Sequence, residues 1–114
     1  MEINKEFLAL YYGEMVNDVG EIFFYFLKEI PGDLDDITSA IVANNVQLTV
    51  KLLHRMAPCF YSVGLPQLTA TAKKIEEAVA DTWQIVPEIF ADFKTEVLLH
   101  LPAVQAEYDR LSKA

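Results

Sequence analysis

Apolar residues recur at three- and four-residue spacing along nearly the whole chain, and the strict alternation of a half-buried strand is absent. Phe7, Leu8 and Tyr11 make a short first stripe. Val19, Ile22, Phe23, Phe26, Leu27 and Ile30 make a second, and Leu34, Ile37 and Ile41 a third. Leu65, Leu68, Ala72, Ile75 and Val79 form a near-heptad seam, and Phe90, Phe93, Val97, Val104, Tyr108 and Leu111 form the last. Stripes of this period can be buried only by packing helix on helix. The four glycines and five prolines punctuate the stripes and do not gather into a linker. The expected fold is all-α: an antiparallel up-down four-helix bundle with extra N- and C-terminal helices. With 114 residues, the chain reads as a single domain over 1–114.

Local signals set the expected boundaries. A helix over 3–12 ends at Gly13. A second starts at Asp18, where Asp18 and Glu21 form an approximate capping box, and stops at Pro31-Gly32. A third runs over 33–44, capped by Asp33, with Asp35 and Asp36 at the positive end of its dipole. Asn44-Asn45 makes a tight break, Asn44 accepting the left-handed conformation and Asn45 capping a helix over 46–62. Gly64 ends that helix and Pro66 opens the next, over 66–80. A loop around Thr82 to Val86 leads to Pro87 and a last helix, which Pro102 is expected to kink or break. On these boundaries 18–30, 33–44, 46–62 and 66–80 form the core, with the first and last helices alongside.

Composition narrows the function classes. Nine basic against seventeen acidic residues leave a net charge of −8, which argues against a nucleic-acid partner. No apolar run approaches the ~18–20 residues of a membrane span, and the N-terminus lacks the pattern of a signal peptide. No direct membrane contact is expected. Cys59 is the single cysteine, so an internal disulfide is impossible and a reduced, cytoplasmic setting is the default. A monomer is the simplest expectation.

The charge is unevenly placed. Residues 1–36 carry a net −7 and residues 76–114 a net −5. Between Ile37 and Ile75 stand Lys51, Arg55, Lys73 and Lys74, with no Asp or Glu. Within this basic middle, steps of 100° place His54 on the outer face of its helix. Gln47, Val50, Lys51, Ala57, Pro58 and Tyr61 fall on its side. Leu48, Leu52, Met56 and Cys59, and more laterally Leu53 and Phe60, fall toward the other. A solvent-facing imidazole inside a basic collar suits an anionic partner or a phosphoryl group. The plainer reading is an ordinary exposed histidine on a solvated face.

The ordered run His54-Arg55-Met56-Ala57-Pro58-Cys59-Phe60-Tyr61-Ser62-Val63-Gly64-Leu65, followed by Leu68 and Ile75-Glu76, resembles the histidine-containing phosphotransfer (HPt) domain. That pattern has an apolar residue two after the histidine, a glycine ten after it, a leucine four further on, and an apolar-acidic pair near the end of the next helix. Upstream, Phe26, Leu27, Ile30-Pro31, Leu34, Ile37, Ala40 and Asn45 also match, so the resemblance spans about residues 5–80. It implies a phosphorelay role, with His54 exchanging a phosphoryl group with the aspartate of a receiver domain. The partner would be a response regulator or a hybrid sensor kinase. This chain would then be a free protein or the cytoplasmic end of a membrane-bound hybrid kinase. Nε2, the ring nitrogen farther from the backbone, is the expected acceptor, and Glu76 the group that orients Nδ1. The resemblance implies no cofactor in this domain and no ATP-dependent kinase activity of its own, with magnesium supplied by the receiver.

Two positions depart from the pattern. Ala57 replaces the usual lysine and Pro58 the usual glycine. Arg55 and Lys51 are the cations expected to stand in for the lysine. Pro58 cannot donate to the carbonyl of His54 and its ring crowds that carbonyl, so a kink or loosened turn is expected there. Val50, Pro58, Tyr61, Gly64 and Leu65 are the candidate docking residues, with partial burial as the competing reading. Phe24 and Tyr25 either pack under the first helix or join that patch.

The remaining candidates read as structural. His100 lies among leucines as a satisfied, semi-buried histidine. Cys59 is an inert core thiol, Trp83 a loop anchor, and Met15 and Met56 core. Glu76 and Glu77 diverge by 100° and cannot face one substrate together. The rival reading is a non-catalytic helical adaptor that docks through the same face with His54 unphosphorylated.

Overall fold

The computed structural model describes residues 2–13 and 19–113. Five α-helices follow one another: α1 (Lys5–Tyr12), α2 (Val19–Val42), α3 (Val46–Met56), α4 (Pro66–Asp81) and α5 (Val86–Ser112). A 3-10 segment, Ala57–Val63, continues α3, and a short 3-10 turn, Trp83–Ile85, leads into α5. No strand occurs among the described residues. Helices α2, α3, α4 and α5 pack in a ring of neighbours as an antiparallel bundle of 46 × 22 × 22 Å.

The fold class is as expected, but the core helices are assigned differently. Pro31-Gly32 does not stop a helix: α2 runs straight through it for 24 residues. The predicted helices 18–30 and 33–44 are therefore one element, and Asp33, Asp35 and Asp36 are mid-helix residues, not caps. The reason lies in packing. Phe23, Phe26, Ile30, Leu34, Ile37 and Ile41 are buried along one continuous face, while Pro31 and Gly32 face water. Burying a large apolar side chain contributes ~1.5–3 kcal/mol, so six outweigh the ~3 kcal/mol penalty of one interior proline. The bundle's fourth core helix is instead α5, which buries Phe90, Phe93, Val97 and Val104 and passes Pro102 unbroken. Only α1 remains as an accessory helix. Asp18 and Met15 lie outside the described residues.

Other boundaries agree with the sequence. Gly13 ends α1 at φ 57°, its N–H donating to Ala9 O. Asn44 takes φ 54°, and the Asn45 side chain accepts from Leu48 N at 3.1 Å. Phe60 sits at the centre of the core, in edge contact with Phe26 and Phe93. His100 is buried with Nδ1 2.8 Å from Glu96 O, a structural histidine as expected. Trp83 is half-buried against the core, its Nε1 3.4 Å from Asn44 Oδ1. Phe24 and Tyr25 remain exposed on α2, and Phe24 lies beside Tyr108 of α5 rather than under α1.

The accessory helix is fastened at both ends of its reach. Glu107, buried on α5, binds Arg110 and lies 3.9 Å from Lys5. Asn4 N donates to Gly64 O at 2.7 Å, Tyr12 Oη to Ser62 O at 2.7 Å, and Phe7 stacks on Tyr61. These contacts set α1 on the 3-10 segment that follows His54.

Candidate functional site

His54 stands in the last turn of α3, with its side chain 81% exposed. Leu52, Leu53 and Met56 are buried on the opposite face and hold the helix against the core. The imidazole leans toward α4, where its Nδ1 lies 2.9 Å from Oε1 of Glu76. Glu76 is only 24% exposed, so its carboxylate is confined between the two helices. A carboxylate oxygen accepts, so the nitrogen facing it donates, and Nε2 is the ring nitrogen with no hydrogen-bond partner among the described residues.

The helix changes character just past the histidine. Pro58 has no N–H for the carbonyl of His54, and the α-helix gives way at Ala57 to the tighter 3-10 path. Side chains from three elements add donors to carbonyls of this segment. Thr69 Oγ1 of α4 donates to Ala57 O at 2.6 Å, Ser62 Oγ to Cys59 O, and Tyr12 Oη of α1 to Ser62 O. The loosened turn is thus fixed in place. Burial of Tyr12, with Tyr11 alongside, pushes its phenol up to about 12.

The cations divide between two flanks. Arg55 projects toward α2, close enough to draw the Asp33 carboxyl down, against the larger effect of burial, which raises it. Cys59 shares that flank: burial and then Asp33 push its thiol up, which suits the inert role expected of it. Lys51 is exposed one turn before His54 on the outer face. On α4, Thr69, Lys73 and Glu76 fall at i, i+4 and i+7 along the edge that meets α3. Lys74 lies 100° further round and projects away from α3. All four cations are exposed, and among the described residues none of them joins a salt bridge.

The candidate docking residues separate sharply. Pro58 is exposed beside His54, and Val50 is half-buried against the core. Tyr61 is half-buried under Phe7, whose ring centroid lies 5.5 Å away. Gly64 and Leu65 are corrected: both are buried and present no surface to a partner. Gly64 takes φ 76°, and a Cβ there would meet Leu8 at 3.0 Å and Asn4 O at 3.2 Å. Its role is to close the turn beneath α1. Leu65 is fully buried because the chain turns inward at this point to start α4.

Three residues that the sequence reading passed over support the site: Thr69, Tyr12 and Asn4. Thr69 had a local signal, a hydroxyl directly beside the seam of Leu65, Leu68 and Ala72. Tyr12 and Asn4 had none, because their partners lie 50 and 60 residues along the chain.

A four-helix bundle that presents an exposed histidine, anchored through Nδ1 by a carboxylate on the next helix, has the architecture of a phosphotransfer domain. The sequence pattern of the Hpt domain family matches residues 21–114, and the chain belongs to that family. The match takes in α5 and leaves α1 outside, which moves the expected span of 5–80 toward the C-terminus. Nothing among curated proteins and nothing among solved structures matches the chain. Membership carries a role in phosphotransfer within two-component phosphorelays, where Hpt domains work with receiver domains. No described helix is long and apolar enough to cross a membrane.

Proposed function

We propose that His54 is the phosphoryl carrier of this domain and relays the group between receiver-domain aspartates. The observation that carries the reading is the pairing of an exposed imidazole with Glu76 at Nδ1, which leaves Nε2 free. In the forward step the Nε2 lone pair attacks phosphorus and forms the N–P bond. The bond between phosphorus and the aspartyl oxygen breaks, and the carboxylate leaves with the electron pair. The Nδ1 proton stays on the ring, which becomes cationic, and Glu76 stabilises that charge across the hydrogen bond. Return of the group to a second aspartate reverses each change.

Such transfer is mostly positioning and charge neutralisation, which a pre-set ring supplies. The metal and the groups that activate the aspartyl phosphate belong to the receiver in this reading, and so does the compartment in which the two meet. Pro58 and the outer face of α3 offer the receiver a rigid, exposed contact beside the histidine.

The test is transfer from a phosphorylated receiver, followed by chemical classification of the label. Acid-labile, base-stable label on the wild type and none on His54→Gln is the expected result. A wild type that takes no label from any receiver overturns the relay in favour of a docking-only adaptor. Label surviving in His54→Gln overturns the site.

A further inference from the structure

Phosphorylation at Nε2 adds a doubly charged group to the ring nitrogen opposite the one that Glu76 holds, so two anions share one imidazole. A cation is needed within reach of the phosphoryl oxygens, and α4, which holds the ring through Glu76, is the neighbouring wall from which a side chain can come. Arg55 is on the wrong flank, toward Asp33. Two hydrogen bonds locate the candidate. Thr69 of α4 is pinned to Ala57 and Glu76 of α4 to His54, at 2.6 and 2.9 Å. Lys73 lies between them on the same edge of α4, ~4.5 Å of helix rise from Glu76. It is exposed and joins no salt bridge among the described residues. Its flexible stem can carry an ammonium with three donors from α4 toward the histidine on α3.

We infer that Lys73, reaching across from α4, is the catalytic cation that contacts the phosphoryl oxygens during transfer to and from His54. The inference rests on the relay reading above. It assigns to α4 the charge that position 57 lacks, since Ala57 on the facing wall is buried and bears none. Lys74 serves as an internal control: it has the same charge, the same helix and the same exposure, but another direction.

The test uses a receiver that labels the wild-type domain, in single-turnover transfer. Lys73→Ala is expected to slow transfer about tenfold, the equivalent of ~1.4 kcal/mol. Lys74→Ala should stay within about twofold of wild type. Lys73→Arg should recover most of the rate, and Ala57→Lys placed on the Lys73→Ala background should restore part of it from the opposite wall. An independent readout is the lysine side-chain NMR spectrum before and after phosphorylation with phosphoramidate, in which Lys73 should shift and Lys74 should not. If Ala57→Lys does not fold, that spectrum decides. Equal losses in Lys73→Ala and Lys74→Ala overturn the inference, as do an unimpaired Lys73→Ala or an unmoved Lys73 resonance. A wild type that accepts no phosphoryl group overturns the relay itself, and this inference with it; a labelled wild type beside an unimpaired Lys73→Ala overturns the inference alone.

Discussion

Nδ1 of His54 and Oε1 of Glu76 stand 2.9 Å apart, although 22 residues and a change of helix separate them. The contact fixes both the tautomer and the direction of an otherwise exposed ring. A hydrogen bond of this kind contributes ~1 kcal/mol at a solvent-facing site, about fivefold in a rate that depends on ring orientation. Glu76→Ala is therefore expected to slow receiver-to-His54 transfer by about fivefold. Glu76→Gln keeps an acceptor oxygen and should lose less. Single-turnover kinetics check both; a Glu76→Ala domain as fast as wild type would show that the ring needs no orienting partner.

Thr69 donates to Ala57 O inside the bundle, with no exposed surface of its own. Thr69→Val keeps the shape and removes the donor of a buried hydrogen bond. The expected destabilisation is ~1–3 kcal/mol in urea unfolding. Thr69→Ser should recover most of it. Amide exchange across Ala57–Val63 should rise in Thr69→Val ahead of the rest of α4.

Tyr12 links stability to alkaline pH. Its folded phenol is raised from 10.0 to about 12, chiefly by burial, so the fold favours the neutral form. A raised value means that the contribution is complete below the unfolded value and is lost as pH climbs through the folded one. Stability should thus fall between pH 10 and about 12, with one tyrosine ionising late in a spectrophotometric titration. Tyr12→Phe should abolish that late phase. A full set of tyrosines titrating together near pH 10 would refute it.

Pro31 lies in the interior of α2 with its ring toward water. Pro31→Ala restores a backbone donor and removes the crowding of Leu27 O, while the unfolded chain gains some freedom. The net expectation is a gain of ~1–2 kcal/mol. Thermal or urea unfolding measures it. A loss would mean that the backbone path set by Pro31 is itself needed for packing on α5.

Much of this architecture was legible residue by residue. The stripes defined helices, and Gly13, Asn44, Asn45, Gly64 and Pro66 marked their ends, because left-handed φ values and missing N–H groups act locally. The outward direction of His54 followed from the wheel for the same reason. The error at Pro31-Gly32 arose because a proline penalty is local, whereas the burial that overcomes it is shared among α3, α5 and the 3-10 segment.

The sequence by itself determined the helical class, the exposed histidine and the basic stretch around it, all of which depend on neighbours within two turns. Only the tertiary structure decided which helix completes the core, that Gly64 and Leu65 are buried, and which lysine shares an edge with Glu76. Those facts depend on how the helices lie against one another: α5 against α2, Gly64 beneath α1, and Thr69 and Glu76 of α4 against the end of α3. No spacing along the chain encodes that register; close packing of the shared core selects it.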